Sequence, residues 1–250
     1  MTHAIAWRTS PGNRYTRNQD AVCIAGELHQ GGHGSVISAS RSLVAVADGL
    51  AVSPCAAHAS RTALALLHAG FSSGLPLSEG LLRRVHSGMV EAAGRRCAGM
   101  ACTLAAISVR DDRATIAHVG DCRVYRFRAG ALERLTEDHT VLRRMILDGD
   151  IEAGAAAGLG AAFLDPDSAL IADPIEDEFE VGLRDVVLLS DDVLMLTSDG
   201  ITAALSDALI AQLLSHPMST LPSRARALVD AAAANREHDD NLSVVLLGPG

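Results

Sequence analysis

The sequence predicts an α+β fold of two mainly antiparallel sheets with pairs of helices packed outside them. Many short runs rich in Val, Ile and Leu, bounded by turn residues, read as strands. Alanine- and leucine-rich segments at helical spacing lie between them. These segments come in pairs separated by blocks of adjacent strands, whereas a doubly wound parallel sheet would alternate strand and helix singly. The 250 residues are 48% hydrophobic, 20% charged and 3% aromatic, which suits one compact domain and excludes a disordered or low-complexity chain.

In chain order, strands are expected at residues 4–8, 21–25 and 36–47, followed by helices at 54–68 and 77–96 joined by a short proline-bearing loop. Three strands then follow without an intervening helix, at 103–109, 115–119 and 124–128. A helix is expected at 139–148, strands at 186–189 and 193–197, helices at 202–214 and 223–235, and a last strand at 242–247. Residues 151–177 are rich in Ala, Gly and Asp and keep neither period, so the chain reads as a single domain over 1–250 with a variable flap at about 150–178.

Composition removes several classes of function. All 21 basic residues are arginine, so no lysine is present to serve a P-loop, a kinase ATP site or a Schiff base. A formal charge of −9 opposes sequence-independent nucleic-acid binding, which draws its affinity from clustered positive charge. The aliphatic runs are broken well short of a bilayer span and the first ten residues lack a secretory pattern, so the expectation is a cytoplasmic monomer that binds neither nucleic acid nor membrane. The five cysteines, Cys23, Cys55, Cys97, Cys102 and Cys122, form an odd set without a CxxC pair and are expected to be reduced and mostly buried.

The chemistry lies in aspartates at strand ends. The apolar run at 44–47 ends in Asp48-Gly49, the run at 193–197 ends in Ser198-Asp199-Gly200, and Asp239-Asp240 precedes the last strand. Asp121 follows the strand at 115–119, and Asp20 opens the strand at 21–25. An aspartate beside glycine is commonly a turn former. Five gathered at one sheet edge would repel one another and raise their pKa values unless cations neutralised them. Hard divalent ions such as Mg²⁺ or Mn²⁺ do this with few carboxylates and several waters, and the glycine after Asp48 leaves its carbonyl free to approach a metal.

Seven runs appear together: Arg14-x-x-x-Asn18-Gln-Asp-Ala21, Val46-Ala-Asp-Gly49, Thr103-Leu104, His118-Val-Gly-Asp-Cys-Arg-Val-Tyr125, Leu135-Thr-x-Asp-His139, Leu196-Thr-Ser-Asp-Gly-Ile201 and Asp240-Asn-Leu-Ser-Val244. Their order and nearly full coverage of the chain resemble the PP2C (PPM) family of metal-dependent Ser/Thr protein phosphatases, in its bacterial stand-alone form. The resemblance implies a four-layer αββα sandwich holding two Mn²⁺ or Mg²⁺ ions. It makes Asp48 the bridging carboxylate, Gly49 a carbonyl ligand, Asp199 and Asp240 further ligands, and Asp20 the residue that holds metal-bound water. Asp121, with Asp199, matches the position of a weaker third ion in bacterial relatives. The implied reaction is attack of a metal-bridging hydroxide on the phosphorus of phosphoserine or phosphothreonine, on a phosphoprotein made by an opposing Ser/Thr kinase.

The match departs from the family pattern in places. The phosphate-gripping arginine normally lies five residues before the aspartate of Asn-x-Asp, where this chain has Tyr15, flanked by Arg14 and Arg17. Arg14 is favoured as the catalytic and substrate-binding arginine, reached through a one-residue bulge, with Arg17 as the alternative. Gln19 replaces a common glutamate, Leu50 a Met or His, and Cys122 a common serine, and the flap lacks the usual Arg-x-Leu-Gly segment. Two other readings compete. Cys55 with Arg61, and Cys122 with Arg128, fit the Cys-x5-Arg spacing of thiolate phosphatases, without the glycine loop that cradles phosphate. A catalytically weak or inactive phosphatase-like module that binds a phosphoprotein or regulatory partner is the alternative function.

Overall fold

The computed structural model describes residues 2–38, 41–152, 161–175, 178–216 and 220–250. The first half of the chain forms β1 (His3–Ser10), β2 (Ala21–Ile24), β3 (Glu27–His29), β4 (Gly32–Ser38) and β5 (Arg41–Gly49), then the helix pair α1 (Ala56–Ser72) and α2 (Glu79–Ala93). A run of strands follows: β6 (Ala101–Arg110), β7 (Arg113–Val119), β8 (Arg123–Arg128) and β9 (Ala131–Arg134). After α3 (Val141–Leu147) come β10 (Leu170–Ile171), β11 (Gly182–Val187) and β12 (Val193–Thr197). The chain closes with α4 (Asp199–Ala204), α5 (Asp207–Leu214), α6 (Leu221–Ala234) and β13 (Leu242–Pro249).

Two antiparallel sheets result, one ordered β4-β1-β13-β12-β8-β9 and the other β11-β7-β6-β5-β2-β3, with β10 added to β6. Strand periodicity builds the layers, because alternate residues face opposite sides. In β5, Val44 and Val46 join Ile5, Val124, Leu194 and Val245 of the other sheet in the central core, while Leu43, Ala45 and Ala47 face Leu64, Leu67, Leu82 and Met89 of α1 and α2. Leu242, Val244 and Leu246 of β13 likewise face Leu228, Val229 and Ala232 of α6. Three apolar layers between four layers of secondary structure give the expected αββα sandwich. Among the described residues, no helix is long and apolar enough to cross a membrane.

Several elements differ from expectation, each for a physical reason. The single strand expected at 36–47 is two, β4 in one sheet and β5 in the other, since the chain must change sheets between them. β3 and β9 are short sheet-edge strands with few apolar residues, and β11 begins earlier than expected because its exposed edge carries Arg184 and Asp185 within the apolar run. The helix expected at 202–214 is broken: α4 starts at Asp199, and the Ser206 hydroxyl accepts the Leu209 amide at 3.3 Å to cap a separate α5. Of the expected flap, residues 153–160 and 176–177 lie outside the described residues. Within the rest, Ala161–Leu164 forms a 3-10 turn, and β10 pairs with Cys102 and Ala101 of β6.

The expectation of five reduced thiols is also corrected. Cys55 and Cys97 form a disulfide, while Cys23, Cys102 and Cys122 are free and buried. The bridge follows from the antiparallel pairing of α1 with α2, which returns the residues just beyond α2 to the start of α1 across 42 positions of sequence. Sequence spacing alone carries no sign of that return.

Candidate functional site

Asp48 closes β5 beside β2, where Ala47 pairs with Ala21, so Asp20 sits next to it. Ala47 also faces Leu104, which pairs with Val119 at the end of β7, and Gly120 and Asp121 follow at once. In the other sheet Thr197 pairs with Val244, setting Asp199 after β12 beside Asp240 before β13. All five predicted carboxylates therefore occupy one end of the sandwich.

A chain of small polar groups joins the sheets beneath them. Asn18 Nδ2 donates to Thr9 Oγ1 at 2.6 Å, and the Thr9 and Ser243 hydroxyls lie 2.7 Å apart. The Ser243 amide donates to Ser198 Oγ at 3.3 Å, and Ser198 Oγ donates to Asp20 Oδ2 at 2.7 Å. Asn241 accepts the Gln19 amide at 2.7 Å and donates to the Pro11 carbonyl at 3.0 Å, fixing the 11–20 segment against β13. Sequence reasoning quoted Ser198, Asn241 and Ser243 within motifs but gave them no role. Their signal was position alone, adjacent to the acidic residues.

Glycine is required at two points. A Cβ on Gly49 would stand 2.2 Å from the Ala56 carbonyl oxygen, so only glycine lets the β5 terminus approach the start of α1. Gly120 adopts a φ of 90° and would place a Cβ 2.3 Å from Thr103 Cγ2. Past that left-handed turn, Asp121 lies near enough for its charge to be felt at Asp48. Gln19 works through its backbone here, its carbonyl accepting the Gly49 amide at 3.2 Å and the Ser60 hydroxyl at 2.5 Å.

Burial and mutual repulsion raise the carboxyl pKa values. Asp20 is pushed up to about 7, chiefly by burial, against hydrogen bonds from Ser198 and Ser243 that favour its charged form. Asp121 also rises to about 7 through burial and the charges of Asp199 and Asp138. Asp48 is driven well above the carboxylate range by burial, then by Asp20 and Asp199. Asp240 is raised by burial and by Asp199, opposed by the Asn241 amide and the charge of Arg14. Arg14 and Arg17 are both exposed on the 11–20 segment.

This donor set fits hard cations. The buried Asp20 Oδ1 and Asp199 Oδ1 have no hydrogen-bond partner, which is costly for a carboxylate unless a positive charge meets it. Among the described residues, no three Asp, Glu, His or Cys side chains gather as a complete ligand group. Mg²⁺ and Mn²⁺ take few carboxylates and complete their shells with carbonyls and water.

The structure also rules out the thiolate arrangement. Cys55 is bonded to Cys97, Cys122 is fully buried with its thiol pushed well up by burial, and Arg128 is engaged by Asp192 at 2.5 and 2.6 Å. His118 and His139 stack at 4.5 Å; His118 Nε2 bonds the Glu137 carbonyl at 2.8 Å, and His139 Nδ1 accepts the Gly120 amide at 3.2 Å. Both support the turn that carries Asp121.

A family model described as protein phosphatase 2C matches residues 16–231. The protein phosphatase PhpP of Streptococcus pneumoniae is 29% identical over 151 residues, 60% of this chain and 58% of that protein, so the chain matches less than two thirds of its length. The serine/threonine phosphatase PstP/Ppp of Mycobacterium tuberculosis has a similar structure, with a TM-score of 0.78 at 25% identity over 100% of this chain and 99% of that one. The PPM Ser-Thr phosphatase MsPP of Mycobacterium smegmatis, solved in complex with cacodylate, gives 0.76 at 28% identity over 98% of each chain.

Proposed function

The chain belongs to the protein phosphatase 2C family, and we propose that it is a metal-dependent protein serine/threonine phosphatase. The observation that carries this reading is the buried carboxylate cluster with two unpartnered oxygens, Asp20 Oδ1 and Asp199 Oδ1, at the junction of the sheets. In the proposal Asp48, the Gly49 carbonyl, Asp199 and Asp240 hold two Mn²⁺ or Mg²⁺ ions, and Asp121 with Asp199 holds a weaker third. When bound, such ions supply the positive charge that lets water lose a proton near neutral pH and that offsets the phosphoryl oxygens.

The chain's own residues supply the rest. Asp20, anchored through Oδ2 by Ser198, leaves Oδ1 free to orient the attacking water and take its proton. Arg14, whose charge is felt at Asp240, grips the non-bridging phosphate oxygens with its planar fork. Leu50 has no ionisable group, so the leaving serine or threonine oxygen is protonated from water. The related MsPP structure contains cacodylate, a tetrahedral oxyanion of the same shape as a phosphoryl group.

The substrate in this reading is a phosphoprotein made by a Ser/Thr kinase, and the enzyme acts as a monomer. The Cys55–Cys97 bridge is the feature that speaks for a more oxidising compartment. The test is hydrolysis of p-nitrophenyl phosphate and of a phosphothreonine peptide in Mn²⁺, Mg²⁺ or EDTA. Turnover is expected only with metal, and Asp48→Asn or Asp199→Asn removes it while circular dichroism stays unchanged. Undiminished turnover in excess EDTA would refute the mechanism. Metal-dependent capture of the phosphopeptide without turnover would leave only the binding module.

A further inference from the structure

Beside the carboxylates opens a groove of about 490 Å³ whose lining includes Asp121 and Asp199. One wall is α3, the segment Val-Leu-Arg-Arg-Met-Ile-Leu, in which five of seven residues are apolar and none is buried. Leu142, Ile146 and Leu147 of this helix face the groove together with Leu164 of the 3-10 turn, and Leu147 and Leu164 are 66% and 59% exposed. Short helices are ordinarily held by the burial of an apolar face. Here the apolar residues instead surround a space that runs up to the candidate site.

The arginines in the groove are already paired with carboxylates. Arg123 makes a bidentate bond to Asp138 at 2.7–3.0 Å, and Arg134 reaches the same carboxylate at 3.2 Å. Arg143 is paired with Glu180 at 2.8 Å and with Glu137 at 3.2 Å. An acidic side chain entering the groove would meet only arginines already paired with carboxylates, and a basic one would have to break such a pair or compete with metal for Asp121 and Asp199.

We propose that this groove selects phosphoproteins carrying an aliphatic side chain, Leu, Ile or Met, on one side of the phosphorylated residue, with Leu142, Ile146 and Leu147 as specificity-determining residues. The inference rests on the phosphatase reading above, since its occupant is the flank of the group that the carboxylates act upon. Continuity of the groove with Asp121 and Asp199 favours substrate over any other occupant, because a chain anchored there by its phosphate must run out along one of the walls.

The test is a phosphothreonine peptide series in which Leu, Gly, Asp or Arg occupies each flanking position in turn, assayed with the Mn²⁺-loaded protein. At one position kcat/KM is expected to favour Leu over Gly roughly 10- to 100-fold, the range for removing one such side chain from water, mainly through KM. In Ile146→Asp that Leu-to-Gly ratio falls toward one. Leu147→Ser, at a still more exposed position, makes the same test should the first variant fold poorly.

A wild-type ratio near one, or a ratio that survives both substitutions, overturns the proposal. So does a dimer by light scattering that Ile146→Asp dissociates, which would assign the face to a second copy of the chain. p-Nitrophenyl phosphate separates the two readings. If the protein hydrolyses neither it nor any peptide, the phosphatase reading fails, and the Leu-to-Gly ratio in peptide binding, read by fluorescence anisotropy, decides the groove on its own.

Discussion

Metal-free protein should be strained by its own carboxylates, and Asp121→Asn isolates the effect. The Asp121 carboxyl keeps its proton to about pH 7 in the folded chain but has an ordinary value of 3.8. Between those values the folded state binds more protons than the unfolded one, so this group's contribution falls as pH rises through the window and is constant above it. Carrying the two values through that linkage, the penalty is about 2 kcal/mol at pH 5 and about 4 kcal/mol at pH 8. His139, pushed down to about 4 by burial and the charge of His118, works in the opposite direction over the same range. Wild-type stability alone would therefore mix the two signs. The difference between Asp121→Asn and wild type removes the histidine contribution common to both. In EDTA, the Tm advantage of the variant should grow between pH 5 and pH 8 by roughly 5–10 °C, at about 2–4 °C per kcal/mol for a chain of this size. Differential scanning fluorimetry reads it directly. An advantage that stays flat or shrinks over that range would show that Asp121 is not held protonated by burial. Added Mn²⁺ should stabilise wild type more at pH 8 than at pH 5, because the metal competes with the same protons.

Four further outcomes follow from the site and its supports. Arg14→Ala should lower kcat/KM by tens- to hundreds-fold, on the order of 2–3 kcal/mol, with metal affinity little changed, while Arg17→Ala should cost almost nothing; the reverse ranking would reassign the phosphate grip. Gly49→Ala should abolish turnover and lower Tm, since its Cβ would stand 2.2 Å from the Ala56 carbonyl and the backbone must move; normal kinetics in that variant would contradict the packing of β5 against α1. Titration of unfolded, non-reduced protein should count three thiols, rising to five after reduction, from the Cys55–Cys97 bridge and three free cysteines. Cys55→Ser/Cys97→Ser should then lose up to about 4 kcal/mol of stability, because the unfolded chain is no longer closed into a loop across 42 positions, while keeping turnover, and an unchanged Tm would argue against the bridge.

Most of the layered fold was legible because strands buried on both faces read as short continuous apolar runs, such as Leu43–Ala47, that stand apart from the longer helix-period segments. What was not legible were elements specified by their neighbours. β3 and β9 hold their places by pairing at sheet edges, not by apolar content, and the only sequence mark of the change of sheet between β4 and β5 is the short polar run Ser-Ala-Ser-Arg-Ser at 38–42, which a single-strand reading of 36–47 passed over. The broken helix at Leu205-Ser206 carried a serine cap signal that the continuous Ala/Leu pattern obscured. The disulfide depends on how α1 returns along α2, a tertiary fact that spacing cannot encode.

The candidate site shows the same division. The acidic residues could be read because each sits where a strand ends, and a carboxylate beside Gly or Asn at a strand end is a local pattern. The residues that hold them could not, because Thr9, Asn18, Ser198 and Ser243 are small polar groups common in any turn, and their significance exists only where the two sheets meet. The arrangement makes the sheet junction interdependent: Ser198 comes from the end of β12 and fixes Asp20 at the start of β2, so neither sheet alone can present the cluster. A substitution such as Ser198→Ala would leave every acidic residue in place and still remove the 2.7 Å hydrogen bond that holds Asp20 Oδ2 across the sheet junction, so the residues that support the carboxylates shape the site as much as the carboxylates themselves.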